Sequence, residues 1–396
     1  MTVLAEKNSP SLAVPAAGGQ LPSLTGMRWT AALLVFVYHV RNFGYFGGEG
    51  ARLVDWAFGA GATGVSFFFI LSGFVLSWTA REGDSARVFW RRRLARIYPV
   101  HLVTASLALV LSLTLVPALT PSGVGETAAN LLLVSSWKRE WWQALNPVSW
   151  SLTCEAFFYA AFPALYAALR RLGPRSLTAV AIASGILVIL LPWANVHYAP
   201  DWTLASFPAA RLPEFVLGAA IGRLVRRGEW RGPGLDVSLA LTLVGYFLTR
   251  ELPNVYGPAA CTIVGLGLLI PAAAVADLRG LPSFWRRRPL VVLGEWSFAF
   301  YMIHILVMRA GERLFVPHPH LPVEQALPSA TAAFLVSLGL AWALYAAVEL
   351  PGRRALLGRR RRTEVRVGAG REAETGAPDS AGDVPLKGSQ RVGSDA

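Results

Sequence analysis

Charge is scarce in this chain. Only 15% of its 396 residues are Asp, Glu, Lys or Arg, against about 25% in ordinary soluble domains. Hydrophobic residues make up 54% and the mean hydropathy is +0.45. A soluble protein of 42.8 kDa cannot hide so much apolar surface, because surface area shrinks too slowly with size. Cysteine is nearly absent. Cys154 and Cys261 both lie in apolar runs, which excludes a disulfide framework and a zinc site. Residues 1–26 lack a charged start running into a short apolar core, so no cleavable signal peptide is expected. The Gly-rich P-loop, His-Glu-x-x-His and Gly-x-Ser-x-Gly are missing as well, so nucleotide hydrolysis, metal chemistry and lipase chemistry lose support, and no metal site is expected. The chain has no internal repeat, which weakens the case for a transporter built from repeated halves. A polytopic membrane protein fits what remains.

The apolar stretches support that class. Crossing ~30 Å of hydrocarbon takes about 20 helical residues. Ten stretches qualify, at 27–46, 59–80, 99–118, 148–169, 176–196, 206–225, 235–249, 256–276, 290–309 and 328–349. Residues 127–137 are too short to span and read as a re-entrant or interfacial helix. Arginine sets the orientation. The segment 81–98 carries Arg81, Arg87, Arg91, Arg92, Arg93 and Arg96, and later loops of the same parity are also rich in Arg. Loops of opposite parity are poor. The expectation is an all-α, polytopic transmembrane bundle of about ten helices, with both termini in the cytoplasm and the chain multi-pass in the inner (cytoplasmic) membrane. The same asymmetry accounts for a net charge of +13, so no nucleic-acid partner is expected. Residues 1–20 read as a disordered segment and 21–355 as the transmembrane domain. Residues 356–396 read as a tail, first basic (Arg359 to Arg362) and then, from about 363, disordered.

Ionisable residues inside spanning helices are costly and usually functional. Arg28 and His39 share the first helix. Eleven residues put them ~20° from one face and about 16 Å apart along the axis. That geometry suits a ligand with an anionic head and a long thin arm, a shape coenzyme A has. Arg28 also reads as a snorkelling interface anchor, and His39 as an interhelical hydrogen bond. Arg93 and Arg96, three apart, either clamp phosphate or only orient the chain. Glu155 orients His39, bonds an acceptor hydroxyl, or pairs with Arg211. Arg211 has a nearer partner in Glu214, three residues on. Cys154 has nothing that argues for a reactive thiolate. Ser72 with Gly73 reads first as a close helix contact. Ser297, Tyr301 and His304 form one polar stripe. Pro99 reads as a helix start. Glu349-Leu350-Pro351 reads as a helix stop and cytoplasmic anchor.

Taken in order, Leu24-Thr25-Gly26-Met27-Arg28 with His39, the run from Phe68 to Phe74, the segment Phe89 to Pro99, Trp150-Ser151-Leu152 with Glu155 and Tyr159, the stripe Ser297 to His304, and Glu349-Leu350-Pro351 resemble the integral-membrane acyltransferase family often called acyltransferase 3. The resemblance covers roughly residues 21–355. It implies a membrane-embedded O-acyltransferase that moves an acyl group, usually acetyl, from cytoplasmic acyl-CoA to a hydroxyl. The acceptor is a cell-envelope glycan or a secreted small molecule such as a macrolide. Acyl-CoA is the donor, no cofactor is held permanently, and the lipid bilayer surrounds the protein. In this reading His39 is the general base or carries a transient acyl group, and Glu155 orients His39 or the acceptor. Arg28, Arg93 and Arg96 hold the CoA phosphates. Ser72, Trp150, Tyr159, Arg211, Ser297, Tyr301 and His304 line the substrate cavity. The alternative is a polytopic transporter or flippase of a sugar-bearing or anionic substrate, which shares the frame and the buried ionisable groups.

Overall fold

The computed structural model of the protein describes residues 19–81, 83–198, 204–252, 257–314 and 319–358. The expectations for residues 1–18 and for the tail from 359 onward, Arg359 to Arg362 included, lie outside the described residues. In chain order the helices are α1 (Pro22–Asn42), α2 (Gly48–Phe58), α3 (Thr63–Thr79), α4 (Ala86–Thr114), α5 (Val124–Leu131), α6 (Trp150–Leu169), α7 (Pro174–Tyr198), α8 (Pro208–Arg226), α9 (Leu235–Leu248), α10 (Gly257–Leu278), α11 (Arg288–Leu314), α12 (Val323–Leu344) and α13 (Leu350–Leu357). Among the described residues there is no strand, only an isolated bridge between Phe46 and Leu321.

Among the described residues, seven helical segments are long and apolar enough to cross a membrane: Gly48–Thr79, Ala86–Thr114, Pro147–Leu169, Pro174–Tyr198, Gly257–Leu278, Arg288–Leu314 and Val323–Leu357. The other three of the ten expected spans are helices of a different character. α9 has only 14 residues, about 21 Å at ~1.5 Å per residue. α1 carries Arg28, His39, Arg41 and Asn42, and α8 carries Arg211, Glu214, Arg223 and Arg226. α1 packs against α3 and α11, and α8 against α3 and α7. Of these polar residues, Glu214 and Arg223 are buried and Arg28, His39, Arg211 and Arg226 are half-buried in the bundle, while Arg41 and Asn42 at the end of α1 are exposed. The outer helices have the opposite economy. On α7, Ile182, Ile186, Leu190 and Trp193 are exposed, as are Leu335, Val336, Leu340 and Trp342 on α12.

Small residues bring the central helices together. A Cβ on Gly73 of α3 would strike the Phe215 carbonyl of α8, and one on Gly218 of α8 would strike the Ile70 carbonyl of α3. A Cβ on Gly294 of α11 would strike the Thr25 carbonyl of α1. In a bundle whose exterior is as apolar as lipid, such backbone approach is a main source of packing energy.

Two proline readings need correction. Pro99 lies inside α4, which starts at Ala86 behind the Ser85 cap, where the Val88 N–H donates to Ser85 Oγ at 3.4 Å. The proline removes one helical donor, but its ring packs against Gly352 of α13, and α4 continues across that contact. Nor does the chain stop at Glu349-Leu350-Pro351. Tyr345–Glu349 is a π turn in which the Leu350 N–H reaches back to the Tyr345 carbonyl, and α13 follows. Pro351 has no N–H for the carbonyl four residues earlier, and the widened turn absorbs that loss.

The expected short element at 127–137 is α5 followed by a 3-10 turn at Ser135–Trp137. Its irregular backbone is held from inside, as membrane-depth loops require. Asn130 Nδ2 donates to the Ala144 carbonyl and to Ser149 Oγ, each at 2.7 Å, and Asn146 Nδ2 donates to the Met302 carbonyl of α11 at 2.8 Å.

Overpacking a tight contact costs about 1–3 kcal/mol. Gly218→Leu is therefore expected to lower the melting temperature of the detergent-purified protein clearly. Gly339→Leu on α12, where a Cβ meets open space, is expected to leave it within error.

Candidate active site

Two cavities lie end to end in the bundle. The larger encloses about 860 Å³ between α1, α3, α4, α6 and α11. Five arginines line it, Arg28, Arg81, Arg93, Arg96 and Arg226, against one carboxylate, Glu155. Arg93 and Arg96 reach it from one face of α4. The Arg226 guanidinium is already committed to the carbonyls of Ser77, Trp78 and Ala80 at the end of α3. Glu155 Oε2 accepts a hydrogen bond from the Tyr159 hydroxyl at 2.7 Å. Arg28 is half-buried and lies within electrostatic reach of Arg96, Glu349 and Glu155. Arg93 sits over the Phe89 ring at 5.7 Å, and its buried Nε meets no acceptor among the described residues. A concave, low-dielectric site with this excess of guanidinium focuses positive potential and presents planar donor forks, which suits phosphate.

The smaller cavity, about 450 Å³, is lined by His39, Tyr38 and Asn42 of α1, by Trp142, Gln143 and Trp150, and by Arg309 and Glu312 of α11. Arg309 Nη1 lies 3.1 Å from Glu312 Oε2. His39 Nδ1 stands 2.9 Å from the Val35 carbonyl and 3.1 Å from His304 Nε2. His304 is fully buried, with its Nδ1 2.7 Å from the Tyr301 carbonyl. Val65 and Tyr301 line both cavities, so these two side chains form the wall between them. The Tyr301 hydroxyl is held 2.9 Å from Ser151 Oγ and 3.3 Å from the Val148 carbonyl.

The residues singled out from sequence divide accordingly. Arg28, Arg93, Arg96, Glu155, Tyr159 and Ser72 meet around the larger cavity, His39 and Trp150 around the smaller, and Tyr301 at both. Glu155 thus lies on the arginine side and not beside His39. Arg211, Ser297 and His304 are among the lining of neither. Arg211 pairs with Glu214 at 3.1 Å and donates to Ser66 Oγ at 3.2 Å, and it lies over the Phe69 ring at 5.1 Å. Ser297 Oγ donates to the Gly294 carbonyl of its own helix at 2.8 Å. Cys154 is buried with its thiol toward the Ser206 carbonyl. Sequence reasoning missed Glu349 as a neighbour of the arginines, and it missed the Arg309–Glu312 pair. The signal for the second was present as an i, i+3 spacing of opposite charges on α11.

The Arg211–Glu214 pair sits deep between α3 and α8, with Glu214 1% exposed on its side chain. Removing one partner strands the other charge, at about 3–5 kcal/mol, whereas replacing both by apolar residues is far milder. Glu214→Leu is expected to abolish accumulation of folded protein in the membrane. The double change Arg211→Met with Glu214→Leu is expected to restore most of it, as read by size-exclusion of detergent extracts.

The sequence pattern of the acyltransferase domain family matches residues 21–346, which include every lining arginine, His39 and Tyr301. Acyltransferase MdmB of Streptomyces mycarofaciens is 41% identical over 364 residues, covering 86% of this chain and 94% of the relative. Peptidoglycan O-acetyltransferase OatA of Listeria monocytogenes serovar 1/2a is 27% identical over 354 residues, covering 80% of this chain and 54% of the relative. O-acetyltransferase OatA of Staphylococcus aureus (strain NCTC 8325 / PS 47) is 24% identical over 322 residues, covering 72% of this chain and 50% of the relative. The matched region is therefore about half the length of either OatA protein. No solved structure matches the chain. With the family pattern spanning both cavities and a relative at 41% identity over nearly its whole length, the chain belongs to the acyltransferase 3 family and is a multi-pass membrane acyltransferase.

Proposed function

We propose that the protein moves an acyl group, usually acetyl, from acyl-CoA in the larger cavity to a hydroxyl of an acceptor in the smaller one. The observation that carries this reading is the pair of cavities that share Val65 and Tyr301, one lined with arginine and the other with His39. The larger cavity opens beside the arginine-rich segment 81–98, which the charge asymmetry assigns to the cytoplasm of an inner-membrane protein with both termini inside. Acyl-CoA therefore enters from the cytoplasm. Arg28, Arg93 and Arg96 take its phosphates, and the pantetheine arm runs along α1 toward the wall. Glu155 and Tyr159 limit the positive charge and orient the arginines around the donor.

His39 then acts on the acceptor. Both neighbours of Nδ1 leave Nε2 without a hydrogen-bond partner among the described residues, on a half-buried ring in the cavity lining. Nε2 takes the hydroxyl proton as the oxygen attacks the thioester carbonyl. An ester C–O bond forms, the C–S bond breaks, and the proton passes to the sulfur, releasing CoA as its thiol. Aromatic faces at Tyr38, Trp142 and Trp150, with amides at Asn42 and Gln143, suit a sugar ring. This favours a sugar-bearing acceptor, whether a cell-envelope glycan or a glycosylated secreted small molecule such as a macrolide. The transporter expected as the alternative gains nothing from the comparisons, since the relatives above are named as acyltransferases.

General-base help is worth about 10²–10⁴ in rate. Inside-out membrane vesicles given acetyl-labelled acetyl-CoA are expected to transfer label into a glycan or small-molecule fraction. His39→Ala is expected to keep less than about a tenth of that turnover while accumulating normally, and more would overturn the role given to His39. A charge-assisted hydrogen bond is worth about 1.5–3 kcal/mol. Arg28→Gln and Arg96→Gln should therefore each raise KM for acetyl-CoA about tenfold to a hundredfold, with the acceptor fraction unchanged.

A further inference from the structure

We infer that His304 is a positioning residue for the transfer step: it holds His39 with Nε2 free and shares the proton that His39 takes up. This deepens the role proposed above for His39 and rests on it. The argument begins with carbonyl oxygens, which only accept hydrogen bonds. His304 Nδ1 lies 2.7 Å from the Tyr301 carbonyl and 3.2 Å from that of Phe300, so this nitrogen carries the hydrogen. The Nε2 of a neutral His304 is then a lone pair, and it points at His39 Nδ1 from 3.1 Å. His39 Nδ1 also lies 2.9 Å from the Val35 carbonyl, so it too carries a hydrogen, shared between an oxygen and a nitrogen acceptor. The opposite assignment would set two pairs of lone pairs against each other at hydrogen-bond distance. Only the Nδ1–H form of both rings satisfies every contact.

The Val35 carbonyl alone would fix that tautomer. His304 adds something a carbonyl lacks, a basic atom able to take a proton. When His39 Nε2 accepts the hydroxyl proton, the Nδ1–H can shift toward His304 Nε2. The positive charge then spreads over two rings, while His304 keeps its own Nδ1–H on Tyr301. When the C–S bond breaks, the shift reverses and the proton leaves from His39 Nε2 to the thiolate sulfur. No oxidant or further co-reactant is needed. The surroundings raise the value of this sharing, because His304 is fully buried, its ring parallel to Phe300 at 6.0 Å and close to Phe36 at 6.2 Å. Charge that develops in a water-poor site depends on preplaced partners.

The test uses the full-length protein in inside-out vesicles with labelled acetyl-CoA, and CoA binding to the same purified variants. His304→Leu is expected to lower kcat about a hundredfold with KM for acetyl-CoA and CoA affinity within about twofold of wild type. In His304→Gln the amide oxygen reaches the place of Nε2 and accepts from His39, so at least a tenfold recovery over Leu is expected. His304→Asn keeps the bond to Tyr301 but falls short of His39, and should resemble Leu. Should the Leu variant fail to accumulate, the contrast between Gln and Asn decides: Gln active and Asn inactive supports the inference, and equal activities overturn it. If the His304 variants match wild type while His39→Ala is inactive, the inference falls and the role of His39 stands. If His39→Ala keeps more than about a tenth of the turnover, the role of His39 falls and this inference with it.

Discussion

The crossing of α3 over α8 constrains everything around it. Backbone meets backbone at Gly73 and Gly218, and no side chain separates the two helices there. This closeness is what lets Ser66 reach both Arg211 and Glu214, so that the ion pair buried inside the bundle gains a shared hydroxyl partner. It also fixes the rotation of α3. With Gly73 turned to α8, Phe68 and Ser72 of the same helix turn to the larger cavity and Val65 to the wall between the cavities. The packing contact and the cavity lining are thus two faces of one helix, and neither can move without the other.

α1 plays the complementary part. One helix carries Arg28 into the arginine-lined cavity and His39 into the other. A rigid rod with 1.5 Å per residue makes their separation a property of the chain and not of a loop. In the proposed reaction Arg28 and His39 would hold donor head and reactive nitrogen at that set distance, the positioning that transfer between two bound partners requires. Gly294 of α11, packed on the Thr25 carbonyl, holds α1 to the helix that supplies Tyr301 and His304.

Much of this was legible before any fold was seen, and the parts that were not have a common cause. The spacing of Arg28 and His39 follows from helical periodicity, and so does the pairing of Arg211 with Glu214, because both lie within one helix. Glu155 and His304 are legible as important, but beyond Tyr159 and the Tyr301 and Phe300 carbonyls on their own helices their neighbours lie on other helices. Periodicity gives the face of a helix and says nothing about which helix that face meets. From sequence Glu155 orients His39, bonds an acceptor hydroxyl or pairs with Arg211, whereas in the fold it lies among the arginines of the larger cavity. Pro99 and Pro351 misled for a related reason. A proline weakens a helix locally, yet in a crowded bundle the neighbouring helices decide whether it ends. Gly352 receives Pro99, and a π turn relieves Pro351. Seven of the ten expected stretches are helices long and apolar enough to cross a membrane among the described residues, and the other three, α1, α8 and α9, are helices that are shorter or carry more charge.

The wall at Val65 and Tyr301 has an electrical consequence. Two cavities that approach each other through a membrane protein form most of a conducting path. Each proton slipping through would dissipate about 2.3 kcal/mol for every 100 mV of membrane potential. At that wall the Tyr301 hydroxyl is fastened to Ser151 Oγ and to the Val148 carbonyl. In the proposed reaction the traffic is a neutral acyl group in one direction and a hydrogen in the other. In that reaction the two groups would exchange between the cavities without passing current.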